Sequence, residues 1–273
     1  MKKPANRRYL DIAINNVCKH YGDPLRLRRI LGAVIVAQMI PGGVLKGGSA
    51  MKIRFGDDAT RFTKDLDAAR DMDVAEYADR FARNLRDGWN GFTGRLVAGR
   101  RATPDGVPDS YVMQPFEVKL SYNNNPWLTV PFELGANELG DADVPEPGMN
   151  DDIVRIFEEL GFPAPSPVPL MPVEHQIAQK LHGLTEQGSD RARDLVDLQI
   201  IVANGNFDYG RVRSLCERLF KARHLQPWPP RVVKGDEWDA LYLEAKEDIG
   251  AILELDDAIE WANALIEKIA TAS

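Results

Sequence analysis

Leu45-Lys46-Gly47-Gly48-Ser49-Ala50-Met51-Lys52-Ile53-Arg54-Phe55, followed by Arg61-Phe62-Thr63-Lys64-Asp65-Leu66-Asp67, is the stretch from which the fold is read. Val44 and Leu45 end a short apolar strand, the glycines make a turn, and one or two turns of helix follow. A polar loop then leads into a strand that carries two carboxylates. Glycines without a Cβ let backbone N–H groups approach a phosphate, and a helix N-terminus adds positive potential there. Side chains alternate along an extended segment, so Thr63, Asp65 and Asp67 share one face and Lys64 and Leu66 the other. Two carboxylates two residues apart can clamp a divalent cation when triphosphate oxygens complete its shell. Read separately, the glycines are an ordinary turn and the carboxylates solvated edge charges; together, on either side of one helix, they are a more specific pattern than either half.

Upstream, Leu10, Ile14 and Cys18 recur at helical spacing, predicting a helix over 5–20 that ends at Tyr21-Gly22. Asp23-Pro24 reads as a cap with proline in the first turn, opening a helix to about residue 39. Downstream, 74–89 is helical again, and 92–97, 110–122 and 127–134 alternate as strands. Pro104-Asp105-Gly106 is a turn and Asn123-Asn124-Asn125-Pro126 a hairpin loop. A Pro/Gly-rich segment at 144–148 precedes a short helix over 151–160. The proline-dense segment 163–172 is the boundary, giving domains of 1–165 and 166–273. Beyond it helices are expected at 173–186, 190–203, 208–222, 236–250 and 253–271.

The 273 residues are 44% hydrophobic with a formal net charge of −7, which argues against a generally basic nucleic-acid coat. Charge is unevenly spread: residues 1–31 hold eight Lys and Arg against Asp11 and Asp23, while 236–260 is strongly acidic. That asymmetry permits RNA binding at one face, and it equally fits docking of the basic helices on the acidic tail. Cys18 and Cys216 lie in predicted helices without metal-ligand spacing, so a reducing compartment is expected. No apolar core follows residues 1–8 as in a signal peptide, and the run 30–40 is too short to span a bilayer. The expected location is the cytoplasm, with no membrane partner.

The run GGSAMKIRFG…RFTKDLD resembles the first motif of the polymerase-β-type nucleotidyltransferases. Its form is that of the AbiEii/AbiGii toxin family, which includes the mycobacterial MenT-like toxins. The motif is written GG[ST]AL-x-x-R-[YF]-G…R-x-[ST]-x-D-[LI]-D, and this chain departs from it mainly by Met51 for Leu. Residues 173–182 and 190–198 are similar to the family's later motifs, E-x-x-x-A-x-K-L and R-x-[KR]-D-[LIV]-x-D-[LI]. The resemblance covers about residues 40–200. It implies an α+β fold: a polymerase-β-like core, a mixed sheet flanked by helices, with an α-helical C-terminal lobe.

Several roles follow from the resemblance. Gly47, Gly48 and Ser49 would hold β/γ-phosphates, and Asp65 and Asp67 would be both catalytic residues and ligands of two Mg²⁺ ions. A third carboxylate comes from a neighbouring strand; Glu133 is the first candidate and Glu117 its competitor. Arg54, Thr63, Lys119 and Arg191 join the nucleotide-binding set, with Ser121 sharing the face of Lys119. Lys119 reads equally as a cross-strand partner of Glu133. Lys180 would approach the phosphates as a point charge, and Asp194 would act as a base or position Lys180 and Arg191. Asp197 lies three residues on, although an Arg193–Asp197 surface pair is an alternative.

The family's reaction would move a nucleotide from an NTP, typically a pyrimidine, to the 3′ end of tRNA, and a separately encoded antitoxin would be the cognate partner. A protein-nucleotidylating transferase needs the same triphosphate site, and a regulatory nucleotide-binding module is the non-enzymatic rival. Aminoglycoside-modifying transferases share the core, but the helical block LHGLTE…RARDLVDL is closer to the toxin family.

Overall fold

The computed structural model describes residues 2–102, 112–247, 249 and 253–273. The chain forms two compact units. One comprises Met1–Asp57 and Phe62–Met171; the other comprises Pro172–Ser273 together with the short segment Asp58–Arg61.

The first unit opens with α1 (Arg7–Tyr21) and α2 (Pro24–Ala37). Asn6 and Asp23 cap them by accepting hydrogen bonds from the backbone N–H groups of Tyr9 and Arg26. β1 (Val44–Lys46) runs directly into α3 (Gly47–Phe55), and β2 (Leu66–Arg70) precedes α4 (Val74–Asp87). β3 (Phe92–Ala98), β4 (Gln114–Tyr122) and β5 (Asn125–Ala136) form a meander. β6 (Glu146–Gly148), α5 (Asp151–Glu159) and β7 (Val168–Leu170) complete the unit. The strands join one mixed sheet in the order β3-β4-β5-β2-β1-β7-β6. β2 is parallel to β5 and β1 to β7, and the other pairings are antiparallel.

Alternation divides the sheet into a helix-covered face and a face with polar side chains. Phe116, Val118, Leu120, Val130, Phe132 and Leu134 are buried on the first, where Phe81 of α4 meets the Phe132 ring at 5.1 Å between centroids. Gly32 of α2 lies so close to Leu128 and Val130 that even a methyl there would collide with Leu128. The expected strand at 110–122 starts at Gln114, and residues 110 and 111, like the turn at 104–106, lie outside the described residues. β6 and β7 are additions to the sequence reading. Pro147 and Pro169 are register partners in them, and proline, with no N–H to donate, is tolerated in short strands near a sheet edge.

The second unit is helical: α6 (Val173–Leu184), α7 (Arg193–Asn204), α8 (Tyr209–Arg223), α9 (Trp238–Lys246) and α10 (Leu255–Ala270). Leu181, Leu195, Leu198, Phe220, Trp238 and Ile266 are buried in it. The expected helix 236–250 is shorter because α9 ends at Lys246; residues 248 and 250 lie outside the described set. The α+β core and helical lobe are as the sequence implies. No described helix is long and apolar enough to cross a membrane.

Candidate active site

In the first unit the site is built where β1 gives way to α3. Lys46 is the N-cap of α3 but makes no side-chain capping bond, and Gly47 takes a positive φ of 65°. The first N–H groups of a helix have no partners within it. A Cβ on Gly47 would collide with the carboxylate of Asp67, so this position requires glycine for space as well as for conformation. Register explains the contact: Asp67 lies opposite Lys46 on one side and Glu133 on the other.

Glu133 is therefore the strand neighbour of Asp67. Burial and the charge of Asp65 push the Glu133 carboxyl above its ordinary range, while Lys46 pulls the other way. Glu117 lies on β4, exposed, and pairs with Lys119 at 3.2 Å. Strand β2 begins at Leu66, so Asp65 stands just before it, exposed, with Thr63 on the same approach. Ser49 is buried, and its hydroxyl donates to the Asp65 backbone carbonyl at 2.6 Å, tying the glycine helix to the carboxylate segment.

Other expected residues stand apart from this group. Arg54 donates to Glu146 at 2.7 Å and to the Met171 carbonyl at 2.9 Å, holding the end of α3 to β6 and the end of β7. Lys119 and Ser121 share the polar face of the sheet, but Lys119 pairs with Thr129, four positions along β5 from Glu133.

Among the described residues, no three His, Cys, Asp or Glu side chains converge closely enough to hold a metal by themselves. The donor set still fits Mg²⁺, which takes hard oxygens and commonly only one or two carboxylates beside substrate phosphates. Asp67 and Glu133 in register, with the Asp65 charge beside them, provide that, and a cation would offset the burial and the Asp65 repulsion that together raise Glu133.

The second unit holds a buried ionic network. Lys180 of α6 donates to Asp194 at 2.9 Å and to Asp197 at 2.5 Å, and all three side chains are nearly inaccessible. Arg191 donates to the other oxygen of Asp194 at 2.7 Å. Arg61 forks onto Asp197, with Nε at 2.8 Å and Nη2 at 3.0 Å. Burial alone would raise the Asp194 carboxyl, but the charges of Lys180 and Arg191 outweigh it and hold the pKa at about 2. Arg193 pairs with Glu244 instead of Asp197, so the surface-pair alternative for Asp197 does not form. Two members of these groups were not singled out from the sequence, Lys46 and Arg61. Lys46 stands directly before the glycines of the first motif, and Arg61 starts its RFTKDLD half.

A glycine-started helix facing carboxylates on paired strands of a mixed sheet is the arrangement of a nucleotidyltransferase. The chain belongs to the nucleotidyl transferase AbiEii toxin family of type IV toxin–antitoxin systems, whose family model matches residues 27–266. Among solved structures it resembles MenT4, a nucleotidyltransferase toxin from Mycobacterium tuberculosis H37Rv, at 16% identity and a TM-score of 0.54. That likeness covers 94% of this chain and 97% of the other, and it is a likeness of fold. No curated protein matches the sequence.

Proposed function

We propose that this protein transfers a nucleoside monophosphate, preferentially a pyrimidine, from an NTP to the 3′ end of tRNA in the cytoplasm, releasing pyrophosphate and blocking translation. The observation that carries the chemistry is the register of Asp67 with Glu133 beside the first turn of the glycine helix. Bond by bond, the terminal hydroxyl oxygen joins the α-phosphorus and releases its proton to solvent, while the bond from that phosphorus to the oxygen bridging it to the β-phosphorus breaks and pyrophosphate leaves. Asp65, Asp67 and Glu133 would hold Mg²⁺, which when bound supplies charge neutralisation and lowers the pKa of a ligated hydroxyl. Gly47, Gly48 and the first turn of α3 present backbone N–H groups to phosphate oxygens.

A phosphate-neutralising role for Lys180 rests on the family motif; within the helical unit Lys180 donates to Asp194 and Asp197. A carboxylate held at about 2 is a poor proton acceptor near neutrality, which favours a positioning role for Asp194 over that of base. The pyrimidine preference, the tRNA acceptor and a separately encoded antitoxin rest on the family.

The test is incorporation of each α-labelled NTP, with Mg²⁺ present or chelated, into total tRNA and into lysate protein. Label at the tRNA 3′ end, lost on chelation and in Asp67→Asn, is the expected result. Label in protein alone would replace the acceptor, and no label with any NTP would leave a binding module.

A further inference from the structure

The site leaves a question open on the sheet itself: along what surface does the acceptor strand leave the carboxylates? Following the polar face from Glu133 along the register gives Pro115 and Glu117 on β4, then the row Arg95–Lys119–Thr129, then Thr93–Ser121. A groove of about 500 Å³ lies there, lined by Arg7, Thr93, Arg95, Lys119, Ser121 and Thr129 among others. From Glu133 to Thr129 is four strand residues, about 13 Å at ~3.3 Å per residue.

We propose that this groove carries the phosphodiester backbone of the acceptor RNA a few nucleotides behind its reacting 3′ hydroxyl. The inference rests on the acceptor reading above and adds where that acceptor is held. Three cations and three hydroxyls on one strip suit phosphates and ribose hydroxyls, which accept and donate hydrogen bonds without regard to base. At a stacked rise of ~3.4 Å per nucleotide, 13 Å is about four nucleotides. Two carboxylates also border the strip: Asp11 stands 3.6 Å from Arg7, and Glu117 stands 3.2 Å from Lys119. Arg95 is exposed and has no ion pair among the described residues, which makes it the cation most ready for a phosphate. By contrast, in the basic N-terminal helices Arg26 is bonded to Asp57, and Arg28 to Asp11 and Asn15. Lys119 thereby passes from the triphosphate set suggested by the motif to the acceptor track.

The experiment compares wild type, Arg95→Glu and Lys119→Gln by tRNA binding in fluorescence anisotropy, by the KM for tRNA, and by the KM for the NTP. Arg95→Glu is expected to raise the tRNA Kd and KM at least tenfold, with the NTP KM unchanged. Lys119→Gln, which removes one phosphate contact, should lower the slope of log K against log salt by about 0.7 to 1. Wild-type label in tRNA with unaltered tRNA Kd and KM in both variants overturns the groove while leaving the acceptor reading intact. A rise in NTP KM in Lys119→Gln returns that lysine to the triphosphate and also overturns the assignment. Absence of any wild-type transfer to RNA overturns both readings together.

Discussion

The proposed role of Glu133 as a metal ligand sets function against stability. A carboxyl whose folded pKa is raised binds its proton more tightly folded than unfolded. Its stabilising contribution is full below the ordinary value of 4.5 and lost as pH rises through the folded pKa. The charged form of the group is therefore a local cost, set by burial first and by the charge of Asp65 second. Glu133→Gln should raise the melting temperature at pH 7 and abolish nucleotide transfer. Glu117→Gln, on an exposed pair with Lys119, should leave the melting temperature within a degree or two. Thermal melts beside a transfer assay decide it; a Glu133→Gln enzyme with wild-type rates would remove it from the metal-binding set.

Among the elements, the connection between α3 and β2 is the unusual one. Its residues Asp58–Arg61 belong to the helical unit, where Arg61 grips a carboxylate that is 1% exposed. Lys180, Asp194 and Asp197 would each be expensive to bury alone, and they are tolerated because each has a charged partner. Removing one partner exposes that cost. Lys180→Met should destabilise the protein by about 3–5 kcal/mol, the usual penalty for breaking a buried pair. A double-mutant cycle of Arg61→Gln with Asp197→Asn should give a coupling of about 0.5–3 kcal/mol by denaturant unfolding. Additive effects would show that the fork contributes no mutual stabilisation.

For the whole molecule, Asp194 of the same network contributes stability that acid should remove. Asp194 has a depressed folded pKa, so its contribution is complete above the ordinary 3.8 and disappears as pH falls towards about 2. Stability should hold from neutrality to about pH 4 and fall between 4 and 2. Asp194→Asn should flatten that fall, which unfolding curves at stepped pH measure. Unfolding that begins near pH 6 in the wild type would point to a different group.

Sequence alone determined the order of the main helices and strands and the grouping of glycines and carboxylates in the first motif. Periodicity is a property of consecutive residues, so α1, α2, α4 and the β3–β5 meander could be read from it, as could a carboxylate pair after a glycine helix. The short strands β6 and β7 were hidden because prolines mask a strand whose pairing is supplied from elsewhere in the chain. Tertiary structure decided everything that depends on which distant residues become neighbours. It put Glu133 rather than Glu117 beside Asp67, set Lys119 four positions away, and gave Asp197, whose alternative was a surface pair with Arg193, the partners Arg61 and Lys180. The physical reason is that strand register and burial are fixed by the packing of the whole sheet and the whole helical core. A carboxylate's charge, partner and pKa follow from that packing, and no local spacing encodes it.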